Sequence, residues 1–265
     1  MNSTPCGPLT SSEEIPAAGF GALPRAGRLL GKELATMNER REKMTGMRKI
    51  IADNMRVSAQ IPQALGALRI DMTALLSCSE KLKAEGRGVS MTSFLLAALG
   101  QVLRENPSLN SRFEGDEVIY YDEVNAGVAV ANDAGLMIVV VKGIDRKDLF
   151  TIDTEFKGLM QRLRAKKLRM EDITGSTVTL SNLSKEKLQM FSSLITNQEC
   201  LIVGMGGVGK EPVVIADDQI AVRSVANLMV NMNHIIIDGM PAARFLEMMQ
   251  ERLEHPAEFL VPSTL

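Results

Sequence analysis

Two histidines occur among the 265 residues, and one of them, His234, closes a strand-like run directly before a helix signal. Leu228, Val230 and Met232 alternate with Asn227, Asn231 and Asn233. That period of two marks a half-buried strand whose apolar parity places His234 inward. Asp238-Gly239 then turns the chain, Pro241 suits a first helical turn, and Ala242, Phe245, Leu246, Met249 and Leu253 recur at helical spacing. Imidazole is the one side chain that exchanges protons near neutral pH without a shifted pKa, so His234 is a candidate general base. An inward histidine bonded to a backbone carbonyl in the core fits the same pattern, and periodicity alone leaves both roles open.

Ser181 is the second candidate. In Ser176-Thr-Val-Thr-Leu-Ser-Asn, Val178 and Leu180 point to one face, while Thr177, Thr179 and Ser181 point to the other. A hydroxyl at a strand end serves as a turn or cap residue, or as a donor to negative charge that develops during reaction. A third pattern, Gly204-Met-Gly-Gly-Val-Gly209 followed by Lys210, has the spacing of a phosphate-binding loop. Such loops need a helix N-terminus directly after the glycines. Here Pro212 and Val213-Val-Ile continue as extended chain, and Glu211 would repel phosphate. These glycines are expected to shape a tight turn between two strands instead.

The elements that must position these residues are legible from periodicity. Helix signals fall at 45–57, 72–85, 92–105, 148–165 and 241–254, the third capped by Thr92 or Ser93 and stopped by Asn106-Pro107. Strand signals lie near 66–70, 117–121, 124–131, 137–142, 176–181, 200–204, 213–222 and 225–234, with Gly115-Asp116 as a hairpin turn between Phe113 and Val118. This irregular order predicts an α+β fold with a mixed or antiparallel sheet. Residues 1–42 mix Ser, Pro, Gly and charge without periodicity and read as an extended arm or linker ahead of a folded domain at 43–265.

Composition narrows the partners. A formal charge of −2 suggests neither nucleic acid nor an anionic membrane surface, and no apolar run reaches the roughly 20 residues of a membrane span. The first residues, broken by Pro5 and Pro8, do not form a signal peptide, and a cytoplasmic protein (or a mitochondrial-matrix one in a eukaryote) is expected. Cys6, Cys78 and Cys200 are an odd number at wide spacing and match no metal pattern. The 17 methionines scatter through helical segments as flexible core filling.

The pattern His234-x-x-x-Asp238-Gly239 resembles the active-site motif of the dihydrolipoamide acyltransferases of 2-oxo acid dehydrogenase complexes and of the related chloramphenicol acetyltransferase fold. The resemblance runs from about Met44 to about Leu260 through Thr45-Gly-Met-Arg-Lys-Ile-Ile-Ala, Thr92-Ser-Phe-Leu-Leu-Ala-Ala-Leu, Asn106-Pro-Ser-Leu-Asn, Gly115-Asp-Glu-Val, Glu123-Val-Asn-Ala-Gly-Val-Ala-Val, Gly143-Ile-Asp-Arg-Lys-Asp-Leu and Thr177-Val-Thr-Leu-Ser-Asn-Leu. It implies a trimeric chloramphenicol acetyltransferase-like fold, a mixed sheet packed with helices. It also implies coenzyme A as substrate, a lipoyl group supplied by another chain or domain, no metal, and possible growth of trimers into a cubic or icosahedral core through Phe259–Leu265.

By the same resemblance His234 of one subunit takes a thiol proton, Ser181 of the next stabilises the oxyanion, and Asp238 orients the loop and the histidine. Arg48 is a candidate partner of Asp238, Gly239 frees the turn, and Asn182, Ala131 and Asn132 fall at substrate-lining positions. Three positions depart from the family's usual residues: Asn233 and Ala131 stand where Asp is common, and Ile235 where Arg is common. These departures motivate a second reading, a catalytically weak scaffold of a multienzyme complex. A third is a free-standing acyltransferase for a small acceptor.

Overall fold

In the computed structural model, residues 40–132, 135–196 and 198–257 are described. The expected arm at 1–42 lies almost wholly outside them, as does the C-terminal stretch from Glu258 onward. The elements that follow belong to one body, Met44–Leu265. Its described helices are α1 (Gly46–Ser58), α2 (Thr73–Ala84), α3 (Met91–Glu105), α4 (Leu149–Arg164) and α5 (Gly239–Glu254). Its strands are β1 (Gln63–Asp71), β2 (Ser111–Glu114), β3 (Glu117–Tyr120), β4 (Ala126–Asn132), β5 (Gly135–Val141), β6 (Val178–Asn182), β7 (Leu201–Met205), β8 (Gly209–Val214) and β9 (Ile220–Asn233).

The long strand β9 is the spine of a mixed sheet ordered β1-β9-β7-β6-β4-β5, with β8 paired to the first half of β9. β6 runs parallel to both β4 and β7, and the other pairings are antiparallel. This is the α+β architecture with a mixed sheet that the sequence predicts. Leu228, Val230 and Met232 face the helices and are buried, as their parity requires. α5 packs across β1 and β9, and α3 lies against both α4 and α5. Leu95, Leu96, Leu99, Val102 and Leu103 of α3 are fully enclosed, each worth about 1.5–3 kcal/mol when removed from water.

Three local expectations are corrected. The cap of α3 is Ser90, whose Oγ accepts from the Ser93 N–H at 3.1 Å, not Thr92 or Ser93. The apolar run at 213–222 is two strands, because Asp217 and Asp218 adopt left-handed φ of 58° and 55°, a conformation short Asp side chains tolerate. The Gly204–Gly209 stretch does not join two paired strands. β7 and β8 both lie along β9, one after the other, and Gly206 and Gly207 mark the break between them. A Cβ on Gly206 would fall 2.0 Å from the Gln189 carbonyl oxygen, and one on Gly207 2.0 Å from that of Glu186. The glycines are there for close backbone approach, not for turn freedom.

That approach comes from residues 183–196, which carry neither helix nor strand and cross the face of the sheet opposite the helices. The asparagines of β9 hold them. Asn227 Nδ2 donates to the Gln189 carbonyl (3.1 Å), Asn231 Nδ2 to Ser192 Oγ (2.8 Å), and Asn231 Oδ1 accepts from the Ser193 N–H (3.1 Å). The second half of β9, Val225–Asn233, is therefore covered on both faces rather than half-buried, and Asn227 and Asn231 are rungs for the crossing segment.

Candidate active site

β9 ends at Asn233, and the parity that buries Met232 does not extend to His234. Asn233 is fully buried; its Oδ1 accepts from the Ile235 N–H (3.1 Å) and its carbonyl from the Ile236 N–H (2.9 Å), which folds residues 234–236 into a turn. The His234 backbone N–H donates to the Pro62 carbonyl at 2.8 Å, and Ile236 and Ile237 pack on the core. The imidazole, expected inward, instead stands 43% exposed in the single chain, with Nδ1 3.8 Å from Oδ1 of Asp238. Asp238 is 90% exposed and occupies the N-cap of α5 without a side-chain cap bond. Arg48, on the exposed side of α1, makes no ion pair with it, so that expected partnership is absent among the described residues. The core-histidine reading is excluded by exposure; the imidazole is accessible from the surface of the chain.

Ser181 sits half-buried on β6, paired across the sheet with Ala129 of β4 and Gly204 of β7. Gly204 in turn pairs with Met229 of β9. Two strand spacings separate Ser181 from β9, and the stretch from Met229 to His234 adds further length, so the two residues lie on the order of 20 Å apart within one chain. The crossing segment lays Phe191 against Gly204, where a Cβ would meet the ring at 3.1 Å. Phe191 is thereby an apolar neighbour of Ser181 that no periodicity in the sequence reveals. Asn182 is engaged structurally: Nδ2 donates to Thr92 Oγ1 (3.0 Å) and Oδ1 accepts from the Ser184 N–H (2.9 Å). Ala131 is exposed on β4, and Asn132 pairs with Gly135 at the strand's end.

Glu199 is the residue that sequence reading missed. It is 2% exposed, and its Oε1 accepts from Thr179 Oγ1 at 2.8 Å. Burial, against the opposing pull of the Thr179 hydrogen bond, pushes its pKa up to about 7. Oε2 has no partner. A lone acid beside the apolar run Cys200-Leu-Ile-Val carries no sequence signal that separates it from a solvated strand edge. Cys200, also buried, has its thiol pushed up to about 12 and is no nucleophile at neutral pH. No cluster among the described residues offers three His, Cys, Asp or Glu to a metal ion.

Known proteins resemble this chain in sequence and in fold. It is 31% identical over 217 residues to the lipoamide acyltransferase component of the branched-chain alpha-keto acid dehydrogenase complex of Bacillus subtilis, covering 80% of this chain and 51% of that protein. It is 30% identical over 231 residues to the dihydrolipoyllysine-residue succinyltransferase component of the 2-oxoglutarate dehydrogenase complex of Bartonella vinsonii, covering 85% and 56%. The chain thus spans about half the length of these relatives. A crystal structure of a probable dihydrolipoamide acetyltransferase from Listeria monocytogenes superposes with a TM-score of 0.77 at 30% identity, over 86% of this chain and 98% of that one. A truncated catalytic core of the 2-oxoacid dehydrogenase multienzyme complex from Thermoplasma acidophilum gives 0.75 at 28% identity, over 82% and 99%. The family described as 2-oxoacid dehydrogenases acyltransferase (catalytic domain) matches residues 36–261. This chain belongs to that family of acyltransferase catalytic domains.

Proposed function

We propose that the chain is an acyltransferase core, beginning near residue 43, that moves an acyl group between a dihydrolipoyl group and coenzyme A. The observation that carries the reading is His234 itself, presented outward at a strand-to-helix turn built by a buried Asn233 and followed by Asp238-Gly239. A coenzyme A thiol ionises near 8.5, so little thiolate exists at neutral pH. Neutral His234 takes the thiol proton as sulfur attacks the acyl thioester, and Ser181 donates to the oxygen that gains charge. The carbonyl then re-forms and the first sulfur leaves, receiving the proton from the imidazolium. The lipoyl group is carried by another chain or domain.

Since Ser181 and His234 of one chain are far apart, the complete site joins neighbouring copies. The hairpin β8–β9 supports such an assembly. Pro212 faces Val222 and Val214 faces Ile220 in its register, so these four share one side. Val214, Ile220 and Val222 are 68–75% exposed there. Apolar residues on the open side of a projecting hairpin invert the usual order and mark a surface for a second copy. The proposed unit is a homotrimer, within a larger core of a 2-oxo acid dehydrogenase-type complex.

Acyl transfer from acetyl-coenzyme A to dihydrolipoamide by the purified assembly tests the reading. Turnover that vanishes in His234→Ala supports it; a well-assembled wild type without turnover favours the scaffold reading, for which the exposed Ile235 and Ala131 are the motivating departures.

A further inference from the structure

Beside Glu199 lies a cleft of about 250 Å³ to which the proposed chemistry assigns nothing. Arg112, Tyr121, Asn125, Ser176, Thr177 and Glu199 line it. Two of its walls hold buried polar atoms without partners: Oε2 of Glu199 and Nε of Arg112. Arg112 and Glu199 are opposed in an antiparallel bridge, yet the guanidinium pairs outward with Glu114 at 2.5 Å. Above about pH 7, where Glu199 is ionised, the cleft therefore presents one acceptor and one donor that the protein itself leaves unsatisfied. Buried groups of this kind are costly unless something bonds them.

Its position adds to this. Thr177, Thr179 and Ser181 share one face of the chain at β6, spaced about 6.6 Å apart. Thr177 lines the cleft, Thr179 bonds Glu199, and Ser181 follows on the same row. The cleft thus opens roughly 7–13 Å from the serine along a single strand of a single chain. At about 250 Å³ it falls below the roughly 300–1,000 Å³ of sites that enclose whole drug-sized ligands, and it suits a segment of a chain.

We propose that this cleft seats the amide-bearing arm of a thiol substrate, with the amide N–H donated to Glu199 and its carbonyl accepting from Arg112. This inference rests on the acyltransferase reading. Both thiols of that reaction carry an amide on the arm behind the sulfur, close to it in pantetheine and at the end of a longer hydrocarbon chain in dihydrolipoamide. Glu199 and Arg112 are positioning residues here; neither touches the reacting sulfur or carbonyl.

Steady-state kinetics of the intact assembly, with coenzyme A and dihydrolipoamide varied in turn, test it. Glu199→Met is expected to raise KM for one of the two thiols about tenfold, with a smaller effect on kcat, while the other KM stays put and so identifies which arm is held. Arg112→Met, at a partly exposed position, is expected to raise the same KM. Glu199→Gln, whose carbonyl oxygen keeps the Thr179 hydrogen bond while its NH2 turns a donor toward the cleft, is expected to raise the same KM with the fold intact. If both Met variants leave both KM values at wild-type level, the cleft holds no substrate and the proposal is overturned. If the wild type transfers no acyl group, the acyltransferase reading fails instead; calorimetric titration of each thiol into wild type and Arg112→Met then decides the cleft separately, with equal binding to the two proteins counting against it.

Discussion

The imidazole of His234 and the hydroxyl of Ser181 carry different parts of the proposed barrier, and their removal is expected to read differently. His234→Ala takes away the general base and should lower kcat about 10²- to 10⁴-fold. Ser181→Ala removes one oxyanion donor and should cost about 10²- to 10³-fold, again in kcat. Both are measured on assemblies whose mass is unchanged; full activity in a folded Ser181→Ala assembly would end its assigned role. Glu199 makes a separate prediction about pH. Its carboxyl stays protonated in the fold up to about pH 7 but ionises near 4.5 when unfolded. Between those values the folded state binds more protons, so the contribution is full below about 4.5 and is lost as pH rises through 7. Relative to Glu199→Gln, the wild type should lose on the order of 3 kcal/mol between about pH 5 and pH 8. Urea unfolding at both pH values checks this, and parallel pH dependence of the two proteins would refute it.

At the scale of elements, the crossing segment at 183–196 is the piece whose placement decides the surroundings of Ser181. Two independent devices hold it: the asparagine rungs of β9 and the missing side chains of Gly206 and Gly207. Asn231→Leu strips both hydrogen bonds to Ser192 and Ser193 and should destabilise the protein by about 1–3 kcal/mol. Gly206→Ala drives a methyl into the Gln189 carbonyl and should release the segment locally, exposing it to protease while the helical layer stays protected. Limited proteolysis with mass mapping reads that difference; cleavage spread evenly over the chain would show that the segment and the core unfold together.

For the whole molecule, catalysis is expected only from an assembly. Val222→Asp together with Ile220→Asp places charge on the exposed apolar side of the β8–β9 hairpin, where solvent reaches it in the isolated chain. Sedimentation should then report a smaller species, and acyl transfer should fall with it even though His234 and Ser181 are both present. Undiminished activity in a folded monomer would contradict a site shared between copies. No helix among the described residues is long and apolar enough to cross a membrane.

Much of this protein is written in local chemistry. The periods of Leu228–Met232 and Ala242–Leu253, the Asn106-Pro107 stop and the Gly115-Asp116 turn depend on neighbours in the chain, and the elements they predict are present. The residues proposed for proton transfer and oxyanion binding were likewise legible, from a motif at a strand-to-helix turn and a serine at a strand end. Exposure of His234 and the burial of Glu199 were not, and the separation of His234 from Ser181 was implied only by the family resemblance. Each depends on which strands lie side by side and on where residues 183–196 cross them, contacts between residues far apart in sequence that leave no period behind. Residue types and spacing determined which groups can exchange protons; only the packed sheet decided that His234 is exposed and that it stands far from Ser181 within one chain.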